Sequence, residues 1–287
     1  MTAALREREH AMTGSRDFFI KFWGVRGSIA CPGPRTVRYG GNTSCIEVQC
    51  DDTRVIFDGG TGLRDLGDVL ACNPPERIDL FLTHTHHDHV AGVPFFKPAY
   101  MAGTRVDFWA GHLPPETPLQ EVMRRLMQAP LFPVPIDRLG DCRFNSLVRG
   151  APIQPGPGIE LKTCPLRHPN GACGYRISYA GKSICIITDT EHVPGTLDQT
   201  IVDFVRGADI MVYDAMFTDE EFPQFITWGH STWQEALRIA DAAGVRVAVP
   251  FHHSPSHDDD CLDRLAEIAQ TIRRGTVFAS EGLVLHP

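Results

Sequence analysis

Several things are scarce in this 287-residue sequence, and each scarcity closes off a class of protein. No stretch approaches the roughly 18 uninterrupted apolar residues of a membrane-spanning helix, so no membrane association is expected. The first seventeen residues, MTAALREREHAMTGSRD, carry charges and lack the apolar run of about 7 to 15 residues that a secretion signal needs. Residues 1–17 therefore read as a flexible tail, and the protein as cytoplasmic. Lysine occurs four times, no Lys/Arg run exceeds two, and 27 basic against 35 acidic residues leave a net charge of −8. That balance disfavours binding of a long nucleic acid, where phosphate neutralisation supplies most of the affinity. The nine cysteines include no CxxC pair and form no regular framework. Reduced thiols fit this spacing better than disulfides.

What is present is a chain with 43% hydrophobic residues, enough for a sizeable core. Short β-rich segments, bounded by Gly, Pro, Asn or Asp, dominate the first part: FFIKFWG (18–24), CIEVQC (45–50), TRVIFD (53–58), IDLFLTH (78–84) and RVDFWAG (105–111). The second part repeats the style with IELKTC (159–164), CGYRISY (173–179), SICIITD (183–189), ADIMVYD (208–214) and VRVAVPFHH (245–253). Helices are predicted at 63–71, 119–128, 197–206, 232–243 and 259–273. This order predicts an α/β fold, one domain over 18–287, with two sheets face to face, helices outside and a site at one rim. The proline-rich stretch 94–158 reads as an insertion or lid, and the helix-like segment 118–133 within it as a lid or a homodimer face.

Chemistry concentrates in Thr83-His84-Thr85-His86-His87-Asp88-His89-Val90, just past the apolar strand IDLFL. In extended chain His84 and His86 point to one side. Asp88 and His89 follow in a turn, where both can face the same pocket, while His87 points away. Two such pairs suit two metal ions a few ångström apart, because imidazole and carboxylate donors are ligands for zinc, manganese or iron at sites with an open position.

The string HxHxDH after an apolar strand resembles the metallo-β-lactamase superfamily of metal-dependent hydrolases. The resemblance implies a four-layer αββα sandwich of two mixed β-sheets and further ligands in chain order: His168, Asp189 at the end of SICIITD, and His252 at the end of VRVAVPF. It implies that His84, His86 and His168 hold one divalent ion, that Asp88, His89 and His252 hold the other, and that Asp189 bridges. Zinc comes first, with manganese or iron as alternatives. His252 is preferred to its neighbour His253, because FHHSP is similar to the family's THxS segment. VYDAMF (212–217) and GHST (229–232) are similar to the HEATF and GHST segments of the tRNase Z-like branch, and Thr188-Asp189-Thr190 to its SGDT segment. Asn42 in GGNTSC and Asp58 in IFDGGTG look like that branch's early strand-end residues. One departure stands out: Tyr213-Asp214 replaces the family's His-Glu.

On this resemblance two ions that share Asp189 activate a water, and His230, held by Asp214, donates a proton to the leaving group. Ser231 or Thr232 would also cap the helix that follows, with Glu235 completing a capping box from Thr232. Arg26 is a candidate phosphate contact together with Asn42 and Ser231; Arg35 and Arg38 lie on the same glycine-rich loop. The expected activity is phosphodiester hydrolysis of a small substrate, a 3′,5′-cyclic nucleotide first. A tRNA 3′-processing endonuclease, a thioester or other carbonyl hydrolase, and a non-catalytic metal-binding sensor are the alternatives.

Overall fold

Strand β1 (Phe18–Gly24) alternates between buried and half-buried residues along its length. Phe18, Ile20 and Phe22 point inward, the period-two signature of a strand with one face in a core. The structure, a computed structural model, describes residues 17–148 and 151–287. The expected tail at 1–17 thus lies outside the described residues, Asp17 excepted.

β1 belongs to a seven-stranded sheet with β2 (Cys45–Cys50), β3 (Thr53–Phe57), β4 (Arg77–Leu82), β5 (Arg105–Ala110), β6 (Asp141–Ser146) and β12 (Val284–Leu285). Its order is β12-β1-β2-β3-β4-β5-β6, antiparallel as far as β3 and parallel from β3 to β6. A five-stranded sheet holds β7 (Glu160–Leu166), β8 (Ala172–Tyr179), β9 (Lys182–Ile187), β10 (Ile210–Asp214) and β11 (Val247–Phe251) in the order β11-β10-β9-β8-β7. Here β7, β8 and β9 are antiparallel, whereas β9, β10 and β11 run parallel.

The sheets meet through Ile20, Phe22, Phe57 and Phe81 on one side and Tyr175, Ile186, Val212 and Phe251 on the other. Helices α1 (Gly62–Ala71), α2 (His87–Val90) and α3 (Leu119–Leu126) follow the first sheet's strands, and α4 (Gln199–Val205), α5 (Trp233–Ala243) and α6 (Asp259–Ile272) follow those of the second. Leu63, Leu66 and Met123 cover the outer face of the first sheet. Ile201, Ala236 and Leu262 cover that of the second. The result is the expected four-layer αββα sandwich of two mixed sheets. Residues 94–158 supply β5 and β6 to the larger sheet and place Leu119 and Met123 in its outer core. Arg149 and Gly150 of that segment lie outside the described residues. No helix among the described residues is long and apolar enough to cross a membrane.

The carboxyl ends of β3, β4, β9, β10 and β11 gather at one rim, the usual place for a site in sheets with parallel strands. Asp58, Asp189 and His252 each follow the last residues of a strand there, with φ of 62°, 60° and 62°. Left-handed backbone costs an L-residue roughly 1–2 kcal/mol. Three such residues at one rim mark it as the place where local backbone preference has been overridden.

Candidate metal centre

The histidine-rich stretch folds as strand, one extended step, then a single helical turn. β4 ends at Leu82, and Thr83 donates to Asp58 Oδ1 from its backbone N–H (2.8 Å) and its hydroxyl (3.0 Å). His86, at ψ 156°, caps α2 in extended conformation. The turn that follows brings Asp88 and His89 back toward His84 and leaves His87 exposed. Thr83 also meets His84 Nδ1 at 3.2 Å. Its hydroxyl proton goes to Asp58, so it accepts from His84 and leaves Nε2 of that ring bare. His84 Nε2 is buried without a hydrogen-bond partner.

Two groups of donors converge on Asp189. His84, His86 and His168 form one, with His168 Nε2 at 2.9 Å from His86 Nδ1. His168 Nδ1 donates to the Gly229 carbonyl at 2.7 Å, which turns the lone pair of Nε2 into the group. Asp88, His89 and His252 form the other. There His89 Nε2 lies 3.1 Å from His252 Nε2 and 3.3 Å from Asp88 Oδ2, and His252 Nε2 lies 3.2 Å from that same oxygen. Asp189 Oδ1 is 3.7 Å from His84 Nε2 and 3.8 Å from His168 Nε2. Its Oδ2 is 3.3 Å from His89 Nε2 and 3.5 Å from His252 Nε2. One carboxylate thus offers one oxygen to each group.

The electrostatics describe a pocket that demands positive charge. Burial, then the neighbouring charge of His89, pushes the His84 imidazole well below its ordinary pKa. Burial also lowers His86 and His168. At His89 burial acts in the same direction, but Asp189, Asp58 and Asp88 outweigh it and raise its pKa well above the ordinary value. Burial alone would raise Asp88 and Asp189; their histidine neighbours hold both far below the usual carboxylate range. His89 thus sits among three carboxylates whose combined charge a bound cation would balance. Orphaned buried nitrogens, crowded lone pairs and an all-imidazole and carboxylate donor set fit a divalent ion. Asp58 Oδ2, 2.8 Å from His89 Nδ1, completes a carboxylate–imidazole arrangement that would fix the ring for metal binding.

Beside both groups, His230 Nδ1 meets Asp214 Oδ2 at 2.9 Å. Asp214 also accepts from the backbone N–H groups of Asp189, Met216 and Ser231. Burial works against the imidazolium of His230, but the charge and hydrogen bond of Asp214, with Asp189 and Asp88 behind it, raise its pKa to about 9. His230 is stacked against His252 and faces His168, with ring centroids at 5.1 and 5.3 Å. Thr232 caps α5 by accepting from Glu235 N–H at 3.0 Å. The expected return half of a capping box gives way to an ion pair, because the Glu235 carboxylate takes Arg238 Nε at 2.6 Å.

The structure does not bring Arg26, Asn42 and Ser231 to the open face. Arg26 is fully buried, donating to the carbonyls of Gly40 (2.7 Å), Ser254 (3.2 Å) and His257 (2.6 Å). Arg35 and Arg38 pair with Asp258 and with Asp260 and Asp263, so the loop's arginines tie it to α6 and its N-cap. The Asn42 amide accepts from Thr61 and donates to Asp65 and Glu281, while the buried Ser231 hydroxyl meets His192 Nδ1 at 2.7 Å. His253 turns away from the ligand groups: Nε2 donates to Ala279 O at 2.9 Å, and burial pushes its pKa down to about 3. Sequence reasoning passed over His192, which stacks on Phe222 behind Ser231, and Glu191, which accepts from Gly229 N–H at 2.9 Å. It also passed over His112, 3.1 Å from the Thr85 hydroxyl. Nothing in their local spacing singles these out.

Residues 53–253 match the family model described as the beta-lactamase superfamily domain. Ribonuclease Z of Haloferax volcanii is 27% identical over 302 residues, covering 91% of this chain and 92% of that protein. The metallo-beta-lactamase fold protein YhfI from Bacillus subtilis superposes with a TM-score of 0.70 at 18% identity, over 94% of this chain and 100% of its own. A diphosphatase from the PhnP family gives 0.67 at 19% identity, over 94% and 98%. The two superpositions establish the architecture.

Proposed function

We propose that this chain, which belongs to the beta-lactamase superfamily, is a metal-dependent phosphodiesterase that hydrolyses a small phosphodiester, with a 3′,5′-cyclic nucleotide as first candidate. The observation that supports it most is Asp189, whose two oxygens address two separate donor groups within 3.3–3.8 Å. In this reading His84, His86 and His168 hold one divalent ion, Asp88, His89 and His252 a second, and Asp189 both. Zinc is the first choice, manganese or iron the next. When bound, such a pair supplies an acidified water and neutralises charge on substrate oxygens.

The chain's own groups do the rest. Asp58 and the Gly229 carbonyl fix His89 and His168 by their Nδ1 atoms, leaving both Nε2 atoms to the metals. Asp214 orients His230 through Nδ1 and favours its protonated form, which makes His230 the candidate donor of a proton to the departing alkoxide. The net charge of −8 and four lysines favour a small substrate over a long anionic one.

The likeness to ribonuclease Z supports a second reading, tRNA 3′-processing. One experiment separates them: metal-reconstituted protein is given cyclic mononucleotides, cyclic dinucleotides, a 3′-extended tRNA and a thioester at matched concentrations and at two ionic strengths. The proposal expects cyclic nucleotide turnover with weak salt dependence. Trailer cleavage with steep salt dependence would favour the nuclease, and turnover of a thioester alone would remove phosphodiester chemistry altogether.

A further inference from the structure

Next to His168 lies a cavity of 230 Å³ lined by Arg167, His168, Pro169, Glu191, Thr227 and Gly229. Small-ligand sites span roughly 300–1,000 Å³, so this one admits part of a ligand and leaves the remainder on the surface around it. Two features of that surface serve no purpose in the metal centre. Arg167 is exposed and has no carboxylate partner among the described residues. Trp228, between the lining residues Thr227 and Gly229, is 60% exposed.

The loop that presents Trp228 is held rigidly. The Gly229 peptide is pinned at both ends, its N–H by Glu191 Oε2 at 2.9 Å and its carbonyl by His168 Nδ1 at 2.7 Å. Gly229 has φ 87°, and a Cβ there would stand 2.3 Å from His168 Nδ1, so only glycine brings the loop this close to the ligand histidine. Thr227 is itself left-handed at φ 79°, a conformation that persists only where its surroundings impose it. The indole packs edge-on against Phe225, with centroids 5.2 Å apart and an interplanar angle of 78°. Phe225 in turn is stacked on Phe217 at 4.3 Å, and Phe217 faces His230. A large aromatic surface is thus buttressed from behind and offered to solvent beside the proposed hydrolytic centre.

A fixed, exposed ring carried between two lining residues of a partial cavity that Arg167 also lines matches a base attached to a phosphate. We propose that Trp228 and Arg167 form the nucleotide-recognition subsite, the indole stacking on the base of a cyclic mononucleotide and the guanidinium taking an anionic phosphate oxygen. This rests on the phosphodiesterase reading above and names what that site selects. A protein partner fits less well: Trp228 and Ile226 are the loop's exposed large apolar residues, far short of the roughly 1,200 Å² that a stable interface buries. Glu191, the acidic member of the lining, is engaged by Gly229 N–H.

The test compares zinc-reconstituted wild type with W228A, W228F and R167A on 3′,5′-cyclic AMP and on ethylene phosphate, a cyclic diester with no ring to stack. W228A should lower the ratio of kcat/KM for cyclic AMP to that for ethylene phosphate by about 10- to 100-fold, the range that loss of one base-stacking contact gives. The change should fall in KM, and W228F should recover most of it. R167A should weaken both substrates alike, since both carry the phosphate. An unchanged ratio overturns the subsite. Equal loss of both substrates in W228A also overturns it, and would mark Trp228 as a prop for His168. If the ratio moves with a 3′-extended tRNA and not with cyclic AMP, the small-nucleotide assignment falls. Should no diester be turned over at all, the hydrolytic reading fails and binding decides the subsite. Quenching of indole fluorescence by cyclic AMP that disappears in W228F, which keeps a ring but not the fluorophore, upholds it; absence of quenching overturns it.

Discussion

The two donor groups around Asp189 are equal in number of side chains and unequal in nearly everything else. His84, His86 and His168 bring no formal charge of their own, and His86 and His168 are half-buried beside an open cavity. Asp88, His89 and His252 are all buried, include a carboxylate, and are braced by Asp58 behind His89 and by Ser28 N–H on Asp88 at 2.7 Å. Charge and access, not ligand count, therefore decide which position would hold its ion and which would exchange it. In the proposed two-ion centre the charged, buried group suits permanent occupancy, whereas the neutral group lies beside the cavity that His168 lines.

The comparison can be broken most completely at the residue the groups share. Asp189→Ala should empty both positions and reduce activity below detection; an ion still bound at full occupancy by elemental analysis would show that Asp189 serves one group only. Next in size is His230→Ala, expected to lower kcat by about 10²- to 10⁴-fold with both ions retained. Loss of metal in that variant would make His230 a ligand and not a proton donor. Asp58→Asn should weaken the ion of the Asp88 group by about 10- to 100-fold in chelator competition and spare the other. If the His84 group weakens equally, the two positions do not titrate independently and the asymmetry is lost. The smallest contrast lies between neighbours: His86→Ala should release one ion per chain and His87→Ala none, and release from the latter would contradict its outward orientation.

Much of this architecture was legible because it is written in local pattern. FFIKFWG and CIEVQC alternate or run apolar between turn residues, and they form β1 and β2 at the expected bounds. DCRFNS was passed over: polar Asp141, Arg143 and Asn145 interrupt any apolar run, and the strand forms because β5 offers it an edge. At the site, the four donors of one short stretch and the three at later strand ends that the family resemblance implies lie close together. Arg26 was misread for a physical reason. Its carbonyl partners lie 14, 228 and 231 residues away, and a guanidinium looks the same in sequence whether it awaits a phosphate or is already satisfied. His192 escaped for the same cause, its partner Ser231 being 39 residues off.

The three left-handed residues at the rim, Asp58, Asp189 and His252, place unfavourable backbone where lone pairs are also crowded. An ion seated there would help to hold these turns closed, coupling its uptake to rim closure. Chelation of the metal is then expected to loosen the rim as a local unit. Amide hydrogens near 58–60, 188–190 and 252–254 should exchange long before those of β4 and β10, whose centres are buried between layers of helix and sheet.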